Sequence, residues 1–165
     1  MSKPTMARNP YAEDLGTRDP LIALRETPDA IRAQVEGAEP SAADRTYAPG
    51  KWTLRQILIH LAQVELVFQN RLRMALTKDD YVVQPFEQDD FMTIDPAATA
   101  SQALGVYHGL RQFSLPAIDR AAAEHSDRRF RHPDFGELSI RWLLEWAAGH
   151  ELRHWAQIVR ITNDE

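Results

Sequence analysis

Apolar residues recur every three to four positions in the middle of the chain, and this spacing predicts a long helix. The stripe consists of Leu54, Ile57, Leu58, Leu61, Val64, Phe68, Leu72 and Ala75. A period of 3.6 residues over this length is typical of an amphipathic helix, which we place at about residues 53–77. Thr53 and Gln56 match the capping-box pattern, in which each side chain bonds a free backbone N–H of the first turn.

An earlier helix is predicted between Asp19 and Gly37. Asp19 is a favoured N-cap residue, and Pro20 suits the first helical position because its missing N–H would have no helical partner there. Apolar residues follow at helical spacing, and Gly37 is a natural end. Pro28 interrupts the pattern, so either the helix kinks at Pro28 or a second helical piece starts there.

Two further helices are predicted in the second half of the chain. An Asp-Pro pair at 95–96 repeats the cap-then-proline signature. The helix that it opens runs to about Glu124, with a kink expected at Pro116. Ser139 can cap the last helix, which we place as far as about Thr162.

The segments between the predicted helices are long and polar. Residues 78–95 contain Pro85 and five carboxylates between Asp79 and Asp90, which favours an exposed connection. That connection is long for a bare loop, so it is interpreted as a lid or a short extra helix. Residues 125–138 contain Pro133 and Gly136 and are interpreted as a turn. No pair of strands is indicated.

These elements predict an all-α fold, a four-helix bundle with long inter-helix connections. Residues 19–165 have the length of one ordinary domain. Residues 1–18 are polar and are interpreted as a flexible N-terminal arm.

Composition removes several classes of function. The formal net charge of -5 provides no basic surface for nucleic acid, so no nucleic-acid partner is expected. No apolar run approaches the length of a membrane span, and no secretory signal is indicated. The chain has no cysteine, which excludes disulfides, thiolate ligands and a cysteine nucleophile. We therefore expect a cytoplasmic protein.

Two histidines, His150 and His154, lie four residues apart in the segment GHELRHWAQI of the last helix. Both fall near the middle of its apolar stripe, so their rings point into the bundle one turn apart. Such a pair can converge on one metal ion. Alternatively, both are core histidines that bond carbonyl or carboxylate oxygens. Gly149 precedes them, and its missing side chain allows a neighbouring helix to approach closely.

His60 is the best third ligand for such an ion. It lies at the edge of the apolar face of the predicted helix 53–77, roughly 90° from the centre of the stripe. Three neutral imidazoles with one open position form the usual catalytic zinc arrangement. The same ligands also suit nickel or iron.

Other polar residues have competing interpretations. Arg71 shares a side of its helix with His60, and binds either an anionic group of a substrate or an acidic residue. Glu151 either orients a ligand or forms a salt bridge, and the salt bridge is favoured. Glu87 is either a solvated carboxylate or a general base or fourth ligand. His132 precedes the last helix and is the best placed of the remaining histidines to approach a site. Glu65 is interpreted as structural.

Two blocks of the sequence resemble a known family. The first is GKWTLRQILIHLAQVELVFQNRLR, residues 50–73, and the second is HPDFGELSIRWLLEWAAGHELRHWAQIVRI, residues 132–161. Their order and spacing resemble the DinB-like superfamily of metal-binding four-helix bundles, also called the DinB/YfiT-like family.

The resemblance implies one metal-binding histidine from the second helix and two from the fourth, which correspond to His60, His150 and His154. It implies zinc or nickel as the metal, and commonly a homodimer. Relatives include transferases that use a low-molecular-weight thiol and metal-dependent hydrolases. We therefore expect thiol S-transfer or hydrolysis on a small molecule, with S-transfer slightly favoured because of the resemblance. No catalytic residue is assigned.

Two alternatives stay open at this point. One is a non-catalytic metal-binding or stress-response interaction module, and the other is a structural bundle whose histidines are core residues.

Overall fold

Six α-helices, one short 3-10 helix and one two-stranded hairpin build the described part of the chain, residues 6–163 of a computed structural model. The elements are α1 (Ala12–Leu15), α2 (Pro20–Glu36), the 3-10 helix (Pro40–Asp44), α3 (Leu54–Thr77), α4 (Gln88–Met92), α5 (Ala100–His125), β1 (Arg129–His132), β2 (Gly136–Ser139) and α6 (Ile140–Thr162). The four long helices α2, α3, α5 and α6 form the bundle, with α3 packed on α5 and α2 on α6. The prediction of an all-α four-helix bundle is confirmed.

Local capping chemistry sets where the long helices begin. Thr53 accepts a hydrogen bond from the backbone N–H of Gln56 and completes the predicted capping box of α3. Asp19 and Ser139 cap α2 and α6 as predicted. The start of α5 was placed too early, because Thr99 rather than Asp95 forms its cap.

Two prolines lie inside helices without ending them. Pro28 is buried within the unbroken α2, so the alternative in which a second piece starts there is wrong. Pro116 lies inside α5, where its side chain is exposed. In the long connection after α3, the extra helix that was one of two alternatives is present as α4.

The segment before α6 is a β-hairpin, which corrects the interpretation of residues 125–138 as a turn without strands. Phe130 on β1 pairs with Leu138 on β2, and both side chains are buried in the core. Gly136 adopts φ 73° beside the turn, a conformation that glycine enters without strain. Strands of four residues are too short for an alternating pattern to stand out in the sequence.

The N-terminal segment, predicted to be a flexible arm, packs onto α6 in its described part. Leu15 of α1 is buried in the core, and Trp142 Nε1 donates a hydrogen bond to the carbonyl of Ala7 over 2.8 Å. Residues 1–5 lie outside the described residues. The assignment of residues 19–165 to a single domain stays a prediction. Within residues 6–163, no helix is both long and apolar enough to cross a membrane.

Candidate metal centre

Helices α3 and α6 bring three imidazole rings together in the interior of the bundle. Nε2 of His60 lies 3.0 Å from Nε2 of His150, and Nε2 of His154 lies 3.2 Å from the same atom. All three rings are buried, and their possible ligand atoms lie within 4.8 Å of one another. These are the three histidines that the sequence assigned as ligands, although His60 is more deeply buried than an edge position suggested, with 1% of its surface exposed.

Aromatic side chains enclose the three rings. Trp146 stacks on His150, with ring centroids 5.3 Å apart and planes inclined by 13°. Tyr11 meets His150 edge-on at 5.1 Å, and Trp52 lies 4.8 Å from the ring of His60. This wall limits the access of water to the nitrogen atoms and fixes the orientation of the rings.

The hydrogen bonds of His154 define which of its nitrogens is free to bind a cation. Nδ1 of His154 lies 2.7 Å from Oε1 of Gln157, and that amide is oriented by a bond from its Nε2 to the hydroxyl of Tyr47. Because the amide oxygen only accepts, Nδ1 of His154 carries the proton. In a neutral ring, Nε2 then presents a lone pair toward the other two histidines. An outer partner of this kind is usual for metal-binding histidines.

The three imidazoles are neutral near pH 7. Burial lowers the pKa of His60 to about 3, and the neighbouring His154 contributes in the same direction. Burial likewise lowers the pKa of His154 to about 4 despite its bond to Gln157. The pKa of His150 is well below its ordinary value because of burial and of both neighbouring rings. A histidine nitrogen must be unprotonated to bind a metal ion, and the three neutral rings meet that requirement near pH 7.

This donor set fits a divalent metal ion. Nε2 of His150 lies at hydrogen-bond distance from the other two Nε2 atoms, but a neutral ring has only one N–H. The available protons therefore cannot satisfy every pair, and lone pairs are left facing one another. Within residues 6–163, Nδ1 of His60 is also buried without a hydrogen-bond partner. One cation would satisfy the converging lone pairs at once. That His60, His150 and His154 bind metal nevertheless stays a prediction.

A buried ion-pair cluster lies behind the histidines and anchors α6. Nη2 of Arg111 on α5 lies 2.7 Å from Oε2 of Glu65, and its Nη1 lies 3.2 Å from Oε2 of Glu151. The hydroxyl of Tyr107 also donates to Glu151. Glu151 therefore forms the salt bridge that was the favoured alternative, and Glu65 is structural as interpreted.

Arg111 was not predicted from the sequence to have a role, although a signal was present. Arg111 continues an inner stripe of α5 at helical spacing, so its position alone places it among buried side chains. The members of that stripe are Ala103, Leu104, Tyr107, Arg111, Ser114, Ile118 and Ala121.

A cavity of about 400 Å³ opens beside His60 and His150. Its walls include Arg71, Phe86, Glu87, His132, Trp142 and Trp146. A second cavity, of about 370 Å³, borders His150 and His154 from the side of Lys51, Trp52 and Arg153. Three residues with open interpretations, Arg71, Glu87 and His132, thus line the first cavity together.

Gly149 allows a close approach, although its neighbour is the segment before α1 and not a helix as predicted. A Cβ atom built on Gly149 would lie 2.7 Å from Cβ of Tyr11 and 3.1 Å from its carbonyl carbon. Those distances are shorter than side chains tolerate, so only glycine lets the segment before α1 lie against α6 next to His150.

Fold and site together define a class, the four-helix bundles that carry a buried three-histidine group able to hold a metal ion. Residues 23–158 match the family model described as the DinB superfamily. The chain belongs to that superfamily, as its resemblance to DinB-like proteins predicted.

The sequence is similar to several bacterial proteins. "Putative metal-dependent hydrolase YfiT" from Bacillus subtilis is 25% identical over 146 residues, which cover 85% of this chain and 82% of that protein. A protein of the same description from Oceanobacillus iheyensis, OB0413, is 29% identical over 122 residues, covering 73% of this chain and 70% of its own. OB0782 from the same organism is 24% identical over 135 residues, covering 79% and 78%.

The fold is similar to a solved structure. YfiT from Bacillus subtilis matches with a TM-score of 0.79 over 99% of this chain and 92% of that chain, at 20% sequence identity. That structure is described as a probable metal-dependent hydrolase with an unusual four-helix bundle topology. At this level of identity the match demonstrates the shared fold alone.

Proposed function

We propose that this protein is a metal-dependent enzyme that hydrolyses a small molecule, with His60, His150 and His154 as ligands of one divalent cation. The single observation that carries the proposal is the convergence of three neutral ring nitrogens beside a cavity large enough for a substrate. The names of the similar proteins from Bacillus and Oceanobacillus favour hydrolysis over the other reactions considered.

Zinc or nickel is the metal that we propose, because both accept imidazole ligands readily. Held by His60, His150 and His154, either ion would supply Lewis acidity that lowers the pKa of water or of a thiol toward neutrality. The side chains of this chain supply the rest: Gln157 fixes the tautomer of His154, and the rings of Trp52 and Trp146 keep bulk water from the nitrogens.

A proton acceptor is available in the same cavity. Glu87 and Asp89 both line it, and both side chains are exposed to solvent. A carboxylate there can take a proton from the attacking nucleophile and release it to solvent. Between the two we favour Glu87, which lies at the start of α4 beside Phe86, a ring 6.4 Å from that of His60.

Thiol S-transfer is a second candidate, and a specific observation favours it. Two cavities border the histidines, and both include His150 in their walls. A transferase must accept an electrophile and a thiol, whereas hydrolysis needs one organic substrate and water. Since the chain has no cysteine, the thiol would have to come from a low-molecular-weight cosubstrate.

Metal analysis of the purified full-length protein tests the shared basis of both candidates. We expect one equivalent of zinc or nickel per chain, lost in His150→Ala and retained in His125→Ala, a matched change at the half-exposed end of α5. Circular dichroism should report the same helicity in both variants. A folded protein that contains no metal and cannot be reconstituted with zinc, nickel or iron would refute the proposal.

Substrate screening distinguishes the candidates. Turnover of esters or amides without added thiol, abolished by chelation, supports hydrolysis. Conjugation of an electrophile that requires glutathione, bacillithiol or mycothiol, together with metal, supports S-transfer. Stoichiometric metal without turnover in either screen would favour a non-catalytic metal-binding module.

A further inference from the structure

Arg71 has a buried guanidinium without an acidic partner among the described residues. Only 9% of its surface is exposed, and its Nη2 donates to the carbonyl of Gln84 over 2.7 Å. Across residues 6–163 no carboxylate forms an ion pair with it, although it lines the cavity beside His60. Arg111, only 2% exposed, is paired with both Glu65 and Glu151. A buried charge without a counter-ion is costly, so Arg71 requires a reason to be there.

His132 provides a second hydrogen-bond donor in the same cavity. Its Nδ1 accepts a hydrogen bond from the backbone N–H of Asp134 at 3.1 Å, so the proton of the neutral ring is on Nε2. Burial and the nearby charge of Arg71 both lower the pKa of His132, and the carboxylate of Asp134 opposes them. The two donors therefore lie near each other, one on α3 and one on the hairpin.

The charges around this cavity limit what kind of anion can enter. Glu87, Asp89 and Asp134 contribute exposed carboxylates to its walls. These groups would repel a dianionic phosphate more strongly than a singly charged carboxylate, because the repulsion grows with the ligand charge. A planar carboxylate also matches the paired N–H groups of an arginine.

Helix geometry sets the distance between this pair and the candidate metal centre. Arg71 follows His60 by eleven residues on α3, which separates their Cα atoms by about 16 Å along the axis. Eleven residues return to nearly the same face, and the arginine side chain leans back toward the helix start. A ligand that reaches both places must therefore extend several bonds from its anionic end.

We propose that Arg71 and His132 bind the carboxylate of the substrate, so that the substrate is a small carboxylic acid whose reacting group reaches the three histidines. This inference rests on the proposed metal-dependent function and names its substrate class. The cavity of about 400 Å³ accommodates an acid of this size.

Binding of simple probes to the full-length protein tests the proposal without any turnover. Quenching of tryptophan fluorescence can be followed, since Trp142 and Trp146 line the cavity. We would titrate benzoate, neutral benzamide and phenyl phosphate at constant ionic strength into wild type, Arg71→Gln, Arg71→Lys and Arg73→Gln. Arg73 is the matched control, because it bonds Gln69 and Ser114 instead of lining the cavity.

Benzoate should bind wild type and Arg73→Gln equally, and Arg71→Gln at least about tenfold more weakly, as expected for a lost charged hydrogen bond. Arg71→Lys should be intermediate, and benzamide should bind more weakly than benzoate. Equal benzoate affinity in all four proteins, or no binding to wild type, would overturn the subsite. Tighter binding of phenyl phosphate than benzoate would overturn the carboxylate assignment.

A measurement on wild type keeps the test decisive if Arg71→Gln does not fold. In the protein labelled with ¹⁵N-arginine, benzoate should shift the Nε signal that is missing from Arg71→Lys, and an unmoved signal would refute the proposal. Metal content is determined on the same preparations. Benzoate binding in a protein that takes up no metal would refute the proposed function but support the anion subsite. Metal uptake without Arg71-dependent benzoate binding would refute the anion subsite but support the proposed function.

Discussion

Tyr11 lies directly against Gly149, so that the segment before α1 covers the helix turn that carries His150. The same tyrosine supports a cation–π contact from Arg153, whose guanidinium lies 4.6 Å from the ring centre. The N-terminal segment therefore forms part of the wall of the candidate metal centre.

Replacing Gly149 by alanine should destabilise the protein by about 1–3 kcal/mol, because the added methyl group must displace the backbone of Tyr11. Urea unfolding measures the effect. Gly105→Ala is the matched control: it lies in α5 with open space around it and should be neutral or stabilising by up to about 1 kcal/mol. Equal effects of the two changes would contradict the close approach.

Removing the guanidinium of Arg111 should be far more damaging than removing one at the surface. Arg111→Met leaves Glu65 and Glu151 buried without their counter-ion, and we expect a loss of about 3–5 kcal/mol in the free energy of unfolding. Arg120→Met breaks an exposed pair with Glu124 and should cost less than about 1 kcal/mol. Comparable midpoints in denaturant for both variants would argue against the anchoring role of the cluster.

The metal-free protein should lose stability in acid. Burial lowers the pKa of His60 to about 3 and of His154 to about 4, from an ordinary 6.5. Below pH 6.5 the unfolded chain therefore binds protons that the folded protein excludes. The contribution of these two rings to stability is complete above pH 6.5 and falls as the pH drops toward 4, by about 2 kcal/mol for each histidine at pH 5.

Urea unfolding of chelator-treated protein between pH 5 and 7.5 checks this dependence. His154→Gln should lose less stability between pH 7.5 and pH 5 than wild type, because one of the buried rings is gone. His125→Gln should lose as much stability as wild type. An identical pH dependence in wild type and His154→Gln would show that the ring of His154 titrates alike in the folded and unfolded protein.

Gln157→Leu should weaken metal binding while leaving the three ligands in place. The amide oxygen of Gln157 holds the proton of His154 on Nδ1, and loss of such an outer partner typically reduces metal affinity about 10–100-fold. Competition with a chromogenic chelator gives the affinity. Gln112→Leu, an exposed change on α5, serves as the reference and should match wild type. Unchanged affinity in Gln157→Leu would mean that His154 needs no such orientation.

We predict from the family resemblance that the chain forms a homodimer. Light scattering at micromolar concentration should give twice the 18.8 kDa mass of one chain. A monomeric mass under these conditions would contradict the prediction.

Local patterns in the sequence determined the helices and much of the candidate site. Helical periodicity located α3 and α6, capping residues such as Thr53 marked their starts, and the spacing of His150 and His154 placed both rings on one inner face. These features depend on neighbours within one or two turns, so they can be derived from the order of residues.

Only the tertiary structure decided which distant residues meet. It brought His60 to His150 across ninety positions of sequence and folded residues 129–139 into a hairpin that carries His132 to the cavity. It also left Arg71 buried with no acidic partner within residues 6–163. These relationships depend on how helices pack and on where loops return. Periodicity within a single helix contains no record of the element that will lie against it.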